Sequence, residues 1–357
     1  MVYYIRFLKT PRLQKQKIGA LTVSALICIT TDLGDAFLAQ DEDLLVTLRL
    51  ASDGKILCRG RLQWQGGKRE LPISMRPLPV RLAEQPMILE VKPCDSQSAG
   101  PDSLLDQHEI PLIISGWSAA FGGPHSPVSE KLIERRFSIN QTTRLSVWEE
   151  TGNSIARHIW DAAIASVIYL QQLITGDQLQ SNKALQRLLR SERNTPLHVI
   201  ELGSGCGIVG IALASLLHQC SVLLTDLPEV KEIVTKNIAA ARPARLSSLQ
   251  YRPLDWEDKL PDDFFDGPSI DLVLVSDCTY NADSLPALVS VLGRLIKSFP
   301  GALILVALKR RHESEGVFFD LMQSAGLKTL SLHRIELPSQ HGKCEEIELY
   351  CYGGVER

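Results

Sequence analysis

The stretch VIELGSGCGIVGIALA, Val199–Ala214, decides the fold. Its first residues form a short apolar run, as a buried parallel strand does, and its last seven open an apolar helix. The turn between them holds Gly203, Gly205 and Gly207, with Gly210 one step into the helix. Two overlapping fingerprints result, and Gly205, Gly207 and Gly210 give the G-x-G-x-x-G of dinucleotide-binding loops. Either reading lets backbone approach a ligand closely and leaves helix N–H groups free to meet it. No Lys-Ser/Thr pair follows the glycines, which excludes a phosphate loop for a nucleoside triphosphate.

Strands and helices alternate on both sides of this stretch. LHVIEL, CSVLLTDL, IDLVLVSD and GALILVALK read as strands, and EVKEIVTKNIAAA, SLPALVSVLGRLIKSF and EGVFFDLMQSAG as helices. Apolar spacing from Ile155 to Leu170 predicts a further helix over 154–174. The chain closes with LKTLSLHRIEL and EEIELYCYG, two strands with no helix between them, so that pair must be antiparallel. The expected fold is α/β: a doubly wound, mostly parallel sheet that includes these six strands, with a C-terminal antiparallel hairpin, preceded by a small β-rich domain.

That first domain is expected over 1–92, where runs such as LLVTLRLA (44–51) and KILCRGRLQW (55–64) alternate with turn signals such as SDGK and QGGK. Residues 93–130 are rich in Pro, Gly and Ser and read as linker with one possible extra strand, EIPLIISGW. The α/β domain is expected over 131–357.

Composition narrows the function. A net charge of −3 offers no global field toward nucleic acid or an anionic membrane, so neither is expected as a partner. Residues 1–31 are basic, and IGALTVSALICIT (18–30) reads either as the core of a targeting segment or as a buried strand; its Thr, Val and Ile content favours the strand. It is too short for the roughly 20 apolar residues a membrane helix needs. The eight cysteines form no C-x-x-C pair, and the eight histidines no ligand spacing, so no disulfide framework and no metal site is expected. The expected compartment is the cytoplasm, extending to the nucleus.

Asp226 ends the strand after the glycine loop, 23 residues beyond Gly203, where an acid binds the ribose hydroxyls of a dinucleotide or an adenosyl cofactor alike. The terminal hairpin and the lack of a Tyr-x-x-x-Lys (Tyr280 is followed by NADS) weigh against hydride transfer. IELGSGCG resembles the first motif of seven-strand, S-adenosylmethionine-dependent methyltransferases. Together with IWDAAIASVIYL, TDLPEVKEIVTKNI, PLDW and SDCTY, it resembles the eukaryotic non-histone protein lysine methyltransferases (methyltransferase family 16), in a fungal-type arrangement with an extra N-terminal region. The resemblance covers about residues 131–353 and implies a seven-stranded sheet. The glycine motif is common to a huge superfamily; W-D-A-A upstream combined with D-x-x-Y downstream is far more specific.

The resemblance implies the site. Trp160 would lie beside the methionine end of S-adenosylmethionine, where an aromatic face suits a sulfonium. Gly203, Gly205 and Gly207 would line the cofactor, Glu201 would bond the loop backbone or the cofactor's amino group, and Asp226 would take the ribose hydroxyls. Asp255 and Trp256 would flank the adenine, and Ser276 would contribute backbone. Asp277 would accept hydrogen bonds from the incoming amine and Tyr280 would wall its channel. The loop RRHESEGVFF (310–319) is expected on the acceptor side. A protein lysine is the expected acceptor. A small-molecule amine or a protein histidine fits the same cofactor, and a non-catalytic cofactor-binding interaction protein fits the same fold.

Overall fold

The computed structural model describes residues 1–15, 20–94, 102–103, 110–140, 142–152, 154–176, 182–191, 195–261, 264, 267–311, 316–338 and 345–354. The chain forms two compact units: 1–138 with 146–158, and 139–145 with 159–357. The boundary lies later in the chain than the change in composition near residue 131.

The first unit is built of strands. These are β1 (Tyr3–Lys15), β2 (Leu21–Thr30), β3 (Glu42–Leu50), β4 (Ile56–Trp64), β5 (Leu71–Ser74), β6 (Met87–Pro93), β7 (Asp102–Ser103), β8 (Ile113–Ile114), β9 (Gly116–Ser118), β10 (Leu132–Ser138) and β11 (Arg144–Glu150). One sheet has the order β5-β2-β1-β8 and the other β11-β10-β9-β6-β3-β4, with β7 beside β10. Alternate residues of both sheets, among them Ile5, Val23, Ile27, Val46, Leu48, Leu89 and Val91, enter one buried core. The segment read as either targeting core or strand is a strand from Leu21 to Thr30. The expected strand in EIPLIISGW is present as β8 and β9, while 95–101 and 104–109 of the expected linker lie outside the described residues.

The second unit comprises α1 (Asp161–Thr175), α2 (Lys183–Arg190), β12 (Leu197–Leu202), α3 (Ile208–Leu216), β13 (Cys220–Asp226), α4 (Lys231–Ala240), β14 (Ser248–Pro253), β15 (Leu272–Ser276), α5 (Leu285–Ser298), β16 (Leu303–Lys309), α6 (Gly316–Ser324), β17 (Leu327–Glu336) and β18 (Glu346–Gly354). Its seven-stranded sheet runs β14-β13-β12-β15-β16-β18-β17. β18 is antiparallel to both neighbours and the other pairings are parallel, as expected from the terminal hairpin.

Register positions the site. Leu202 at the end of β12 faces Thr225 of β13 and Val275 of β15, and Ser276 faces Ala307 of β16. The carboxyl ends of four central strands are therefore level, and that edge is where open α/β sheets bind ligands. Alternation sends Ile200 and Leu202 into the core that α5 and α6 cover. Glu201 points to the other face, against α3.

The helix expected over 154–174 is shorter. Ile155–Arg157 form a single 3-10 turn, and His158 and Trp160 have extended backbone. α1 starts at Asp161, and the apolar spacing of Ile155 is accidental: that side chain is 58% exposed. From Ala162 onward α1 is buried nearly all round, as a helix inside a large core is. Among the described residues, no helix is long and apolar enough to cross a membrane.

Candidate active site

The loop from β12 to α3 turns through three left-handed glycines: Gly203 at φ +66°, Gly205 at +53° and Gly207 at +78°. Only glycine adopts this conformation without strain. At Gly203 space forbids a side chain as well. A Cβ there would lie 2.4 Å from Cys278 Sγ and 3.1 Å from the Trp256 ring.

Two carboxylates hold this loop and its helix. Asp226, at the tip of β13, accepts the Gly205 N–H on Oδ2 and the Leu227 N–H on Oδ1, both at 2.7 Å. Burial raises its carboxyl above the usual range, while the two N–H bonds draw it back. Glu201 accepts the Gly210 N–H of α3 at 2.8 Å and is 2% exposed. Burial pushes its carboxyl up to about 8, with the Gly210 bond opposing and the Asp226 charge adding. The backbone group Glu201 engages belongs to the third residue of α3, beyond the glycine turn where the sequence reading places it. Thr225 and Asn237 complete the scaffold by bonding the carbonyls of Glu201 (2.7 Å) and Cys206 (2.8 Å).

Trp256 follows β14, packs against the core and reaches Gly203. Its neighbour Asp255 is exposed and uses Oδ1 to accept the Glu257 N–H at 3.0 Å, closing the turn that presents Trp256. The indole Nε1 of Trp256 and the hydroxyls of Ser204 and Ser276 are buried without a hydrogen-bond partner. Buried polar atoms are rarely left unpaired, so unpaired groups in the glycine loop, on the ring that meets it and at the tip of β15 mark a place for a polar ligand.

Asp277 follows β15 with φ +57°, its N–H bonded to Ala307 O at 2.8 Å. A non-glycine residue held in this region is a strained backbone fixed by its surroundings. Its carboxylate is buried and meets Arg311 in a bidentate pair: Nη1 to Oδ1 at 2.7 Å and Nη2 to Oδ2 at 2.8 Å. The same guanidinium lies over the Trp160 ring, 5.5 Å from its centroid. Arg311 therefore joins Trp160 and Asp277, two residues 117 positions apart. Tyr280 stands at the rim, 61% exposed. Next to Asp277, burial pushes the Cys278 thiol well up, so it is packing and not a nucleophile.

Sequence reasoning put Arg311 in the acceptor-side loop without giving it a partner, and did not single out Lys309. Lys309 Nζ lies 3.0 Å from the fully buried Asp161 at the start of α1 and 3.0 Å from Glu345. That pair ties the helix carrying Trp160 at its N-terminus to the tip of β16. The available signal was the K-R-R run that ends an apolar strand; charge at the carboxyl tip of a central strand is placed for a site. Residues 312–315 of the loop expected on the acceptor side lie outside the described residues.

A protein of Schizosaccharomyces pombe, named only as a UPF0665 family protein, is 28% identical over 323 residues, covering 88% of this chain and 91% of that protein. Protein N-lysine methyltransferase METTL21A of Danio rerio is 30% identical over 181 residues, 50% of this chain and 72% of that protein. Protein-lysine N-methyltransferase EFM6 of Saccharomyces cerevisiae is 31% identical over 137 residues, 34% of this chain and 53% of that protein. The S. pombe match is too long for the second unit alone and extends into the first. Residues 139–325, just over half the chain, match the family described as lysine methyltransferase, and the protein belongs to that family.

Proposed function

We propose that this protein transfers the methyl group of S-adenosylmethionine to a lysine side chain of a non-histone protein. The observation that carries the reading is the level row of strand tips holding the glycine loop, Asp226 and Asp277 on one edge of the sheet. The residues present fit the cofactor. The unpaired Ser204 Oγ, Trp256 Nε1 and Ser276 Oγ need polar partners, and Gly203 keeps open a surface that any side chain would fill.

Asp226 would receive the ribose hydroxyls on the lone pairs its two N–H partners leave free. Trp256 and Asp255 would flank the adenine, and Gly203, Gly205 and Gly207 would present backbone. Trp160 would face the methionine end and Ser276 would lie beneath it. When bound, the cofactor supplies an electrophilic methyl carbon: an N–C bond forms as the S–C bond breaks, and the electron pair stays on sulfur.

The protein's task is to deliver a neutral amine. A free lysine ammonium has a pKa of about 10.4 and no lone pair. Removal from water favours loss of its proton to solvent, and Asp277 with Tyr280 at the rim would aim the nitrogen along the line of transfer. Positioning within about 3–3.5 Å supplies much of the acceleration such a reaction needs.

The test is incubation of the purified chain with isotope-labelled methyl donor and cell extract, followed by mapping of the label. Label on lysine Nε of a protein is the expected result. Label on histidine or on a small amine overturns the acceptor assignment, and cofactor binding with no labelled product overturns catalysis.

A further inference from the structure

We propose that Arg311 is a positioning residue of the transfer: by pairing with Asp277 it keeps the carboxylate from trapping the acceptor as an unreactive ammonium. The inference rests on the lysine methyltransferase reading above and concerns the one step that reading leaves difficult.

A bare buried carboxylate beside the acceptor would bind the ammonium well and hold its proton. Capture would be strong and turnover slow. Here both oxygens of Asp277 already accept guanidinium N–H bonds, at 2.7 and 2.8 Å. An incoming amine meets a neutral pair, still with outward lone pairs for aiming, in place of a full negative charge. Arginine suits the role because it stays charged at all working pH and its planar fork matches a carboxylate. Stacking on Trp160 fixes the fork's plane.

The surrounding charges leave this task to Arg311. Cys278 and Tyr280 flank Asp277 on its own segment; Asp226 of β13 contributes further negative charge at both and Glu229 at Tyr280, with Glu201 of β12 joining them only as it ionises at alkaline pH. On β16, Lys309 is engaged by Asp161 and Glu345. Arg310 is engaged by Glu348 and Tyr350. Among the described residues, Arg311 is the cation paired with Asp277. Without it Asp277 would raise an ammonium's pKa with its full charge, and Asp226 would add to it.

The test uses the full chain and the peptide carrying the lysine mapped in the labelling experiment. Arg311→Gln should lower the acceptor KM, lower kcat about tenfold at neutral pH, and move the rising limb of the kcat–pH profile up by about one unit. Binding of the same peptide to enzyme loaded with S-adenosylhomocysteine should tighten several-fold. Arg311→Lys keeps the charge and should keep the profile near that of the parent, and cofactor affinity should hold within about twofold in both. Equal loss of kcat and kcat/KM with an unmoved profile would make Arg311 merely structural and overturn the proposal. A rise in kcat would also overturn it, by making Arg311 a competitor of the acceptor. Failure of the underlying reading appears separately, as absence of lysine labelling by the parent protein before any variant is compared.

Discussion

The backbone N–H of Gly205 donates to Asp226 Oδ2 at 2.7 Å, so the acid assigned to the ribose also clamps the loop that would cradle the cofactor. One carboxylate thus sets both the ligand's anchor and the shape of its seat. Asp226→Ala removes the acceptor of two backbone N–H groups as well as the ribose partner. Hydrogen bonds to a charged group contribute about 1.5–3 kcal/mol each. Calorimetric titration with S-adenosylmethionine should therefore show affinity weakened by about ten- to a hundredfold. Affinity within twofold of the parent would remove Asp226 from the cofactor site.

Gly203→Ala should be costly in two separable ways. The backbone sits at φ +66°, which costs about 1–2 kcal/mol for a residue with a Cβ. The new methyl would lie 2.4 Å from Cys278 Sγ, adding overpacking of about 1–3 kcal/mol. Urea unfolding should show the loss, and a second change, Cys278→Ala, should recover most of the steric share while leaving the backbone share and the 3.1 Å approach to Trp256. Full recovery, or none, would contradict the division.

Legibility in the sequence followed how local the determining physics is. LHVIEL and CSVLLTDL carry uninterrupted apolar runs because both faces of their strands are covered, and β12 and β13 fall where those runs lie. β14 was missed: SLQYRP is an edge strand, half-exposed along its length, and shows no apolar run. β1 was missed for another reason. Its register against β2 shifts between Phe7 and Lys9 and again between Lys9 and Arg12, around Pro11, so the alternation of YYIRFLKTPRLQK changes face mid-strand. In the site, the glycine turn and Asp226 were readable from their places at the ends of two successive strands, whereas Asp277 and Trp160 entered only through the family resemblance. The pairing of Arg311 with Asp277 and Trp160 joins three segments far apart in sequence, and no local pattern encodes it.

The buried pair of Lys309 and Asp161 should prove fragile to single changes and tolerant of a double one. Asp161 has no exposed surface, and Lys309 Nζ lies 3.0 Å from it. Lys309→Met takes the cation away from a buried carboxylate and should cost about 3–5 kcal/mol in chemical denaturation. Lys309→Met combined with Asp161→Leu removes both charges and should recover most of that loss. If the single change costs under about 1 kcal/mol, water screens the pair and it does not anchor α1.

Glu201 should make a contribution to stability that falls as pH rises from the acid side through neutrality. Its carboxyl is pushed by burial from the usual 4.5 up to about 8 in the folded protein. Between those values the native state keeps a proton that the unfolded chain releases. The contribution is complete below about 4.5 and is lost progressively as pH climbs through 8, at about 1.4 kcal/mol per pH unit. Asp226, also raised by burial, acts in the same direction. Glu201→Gln keeps an acceptor for the Gly210 N–H and has no proton to lose. Its Tm should therefore decline less than the parent's between pH 5.5 and 8, the residual slope belonging to Asp226. Parallel Tm profiles for the two proteins would mean that Glu201 is already ionised beneath α3, held so by the Gly210 N–H and the positive end of the helix.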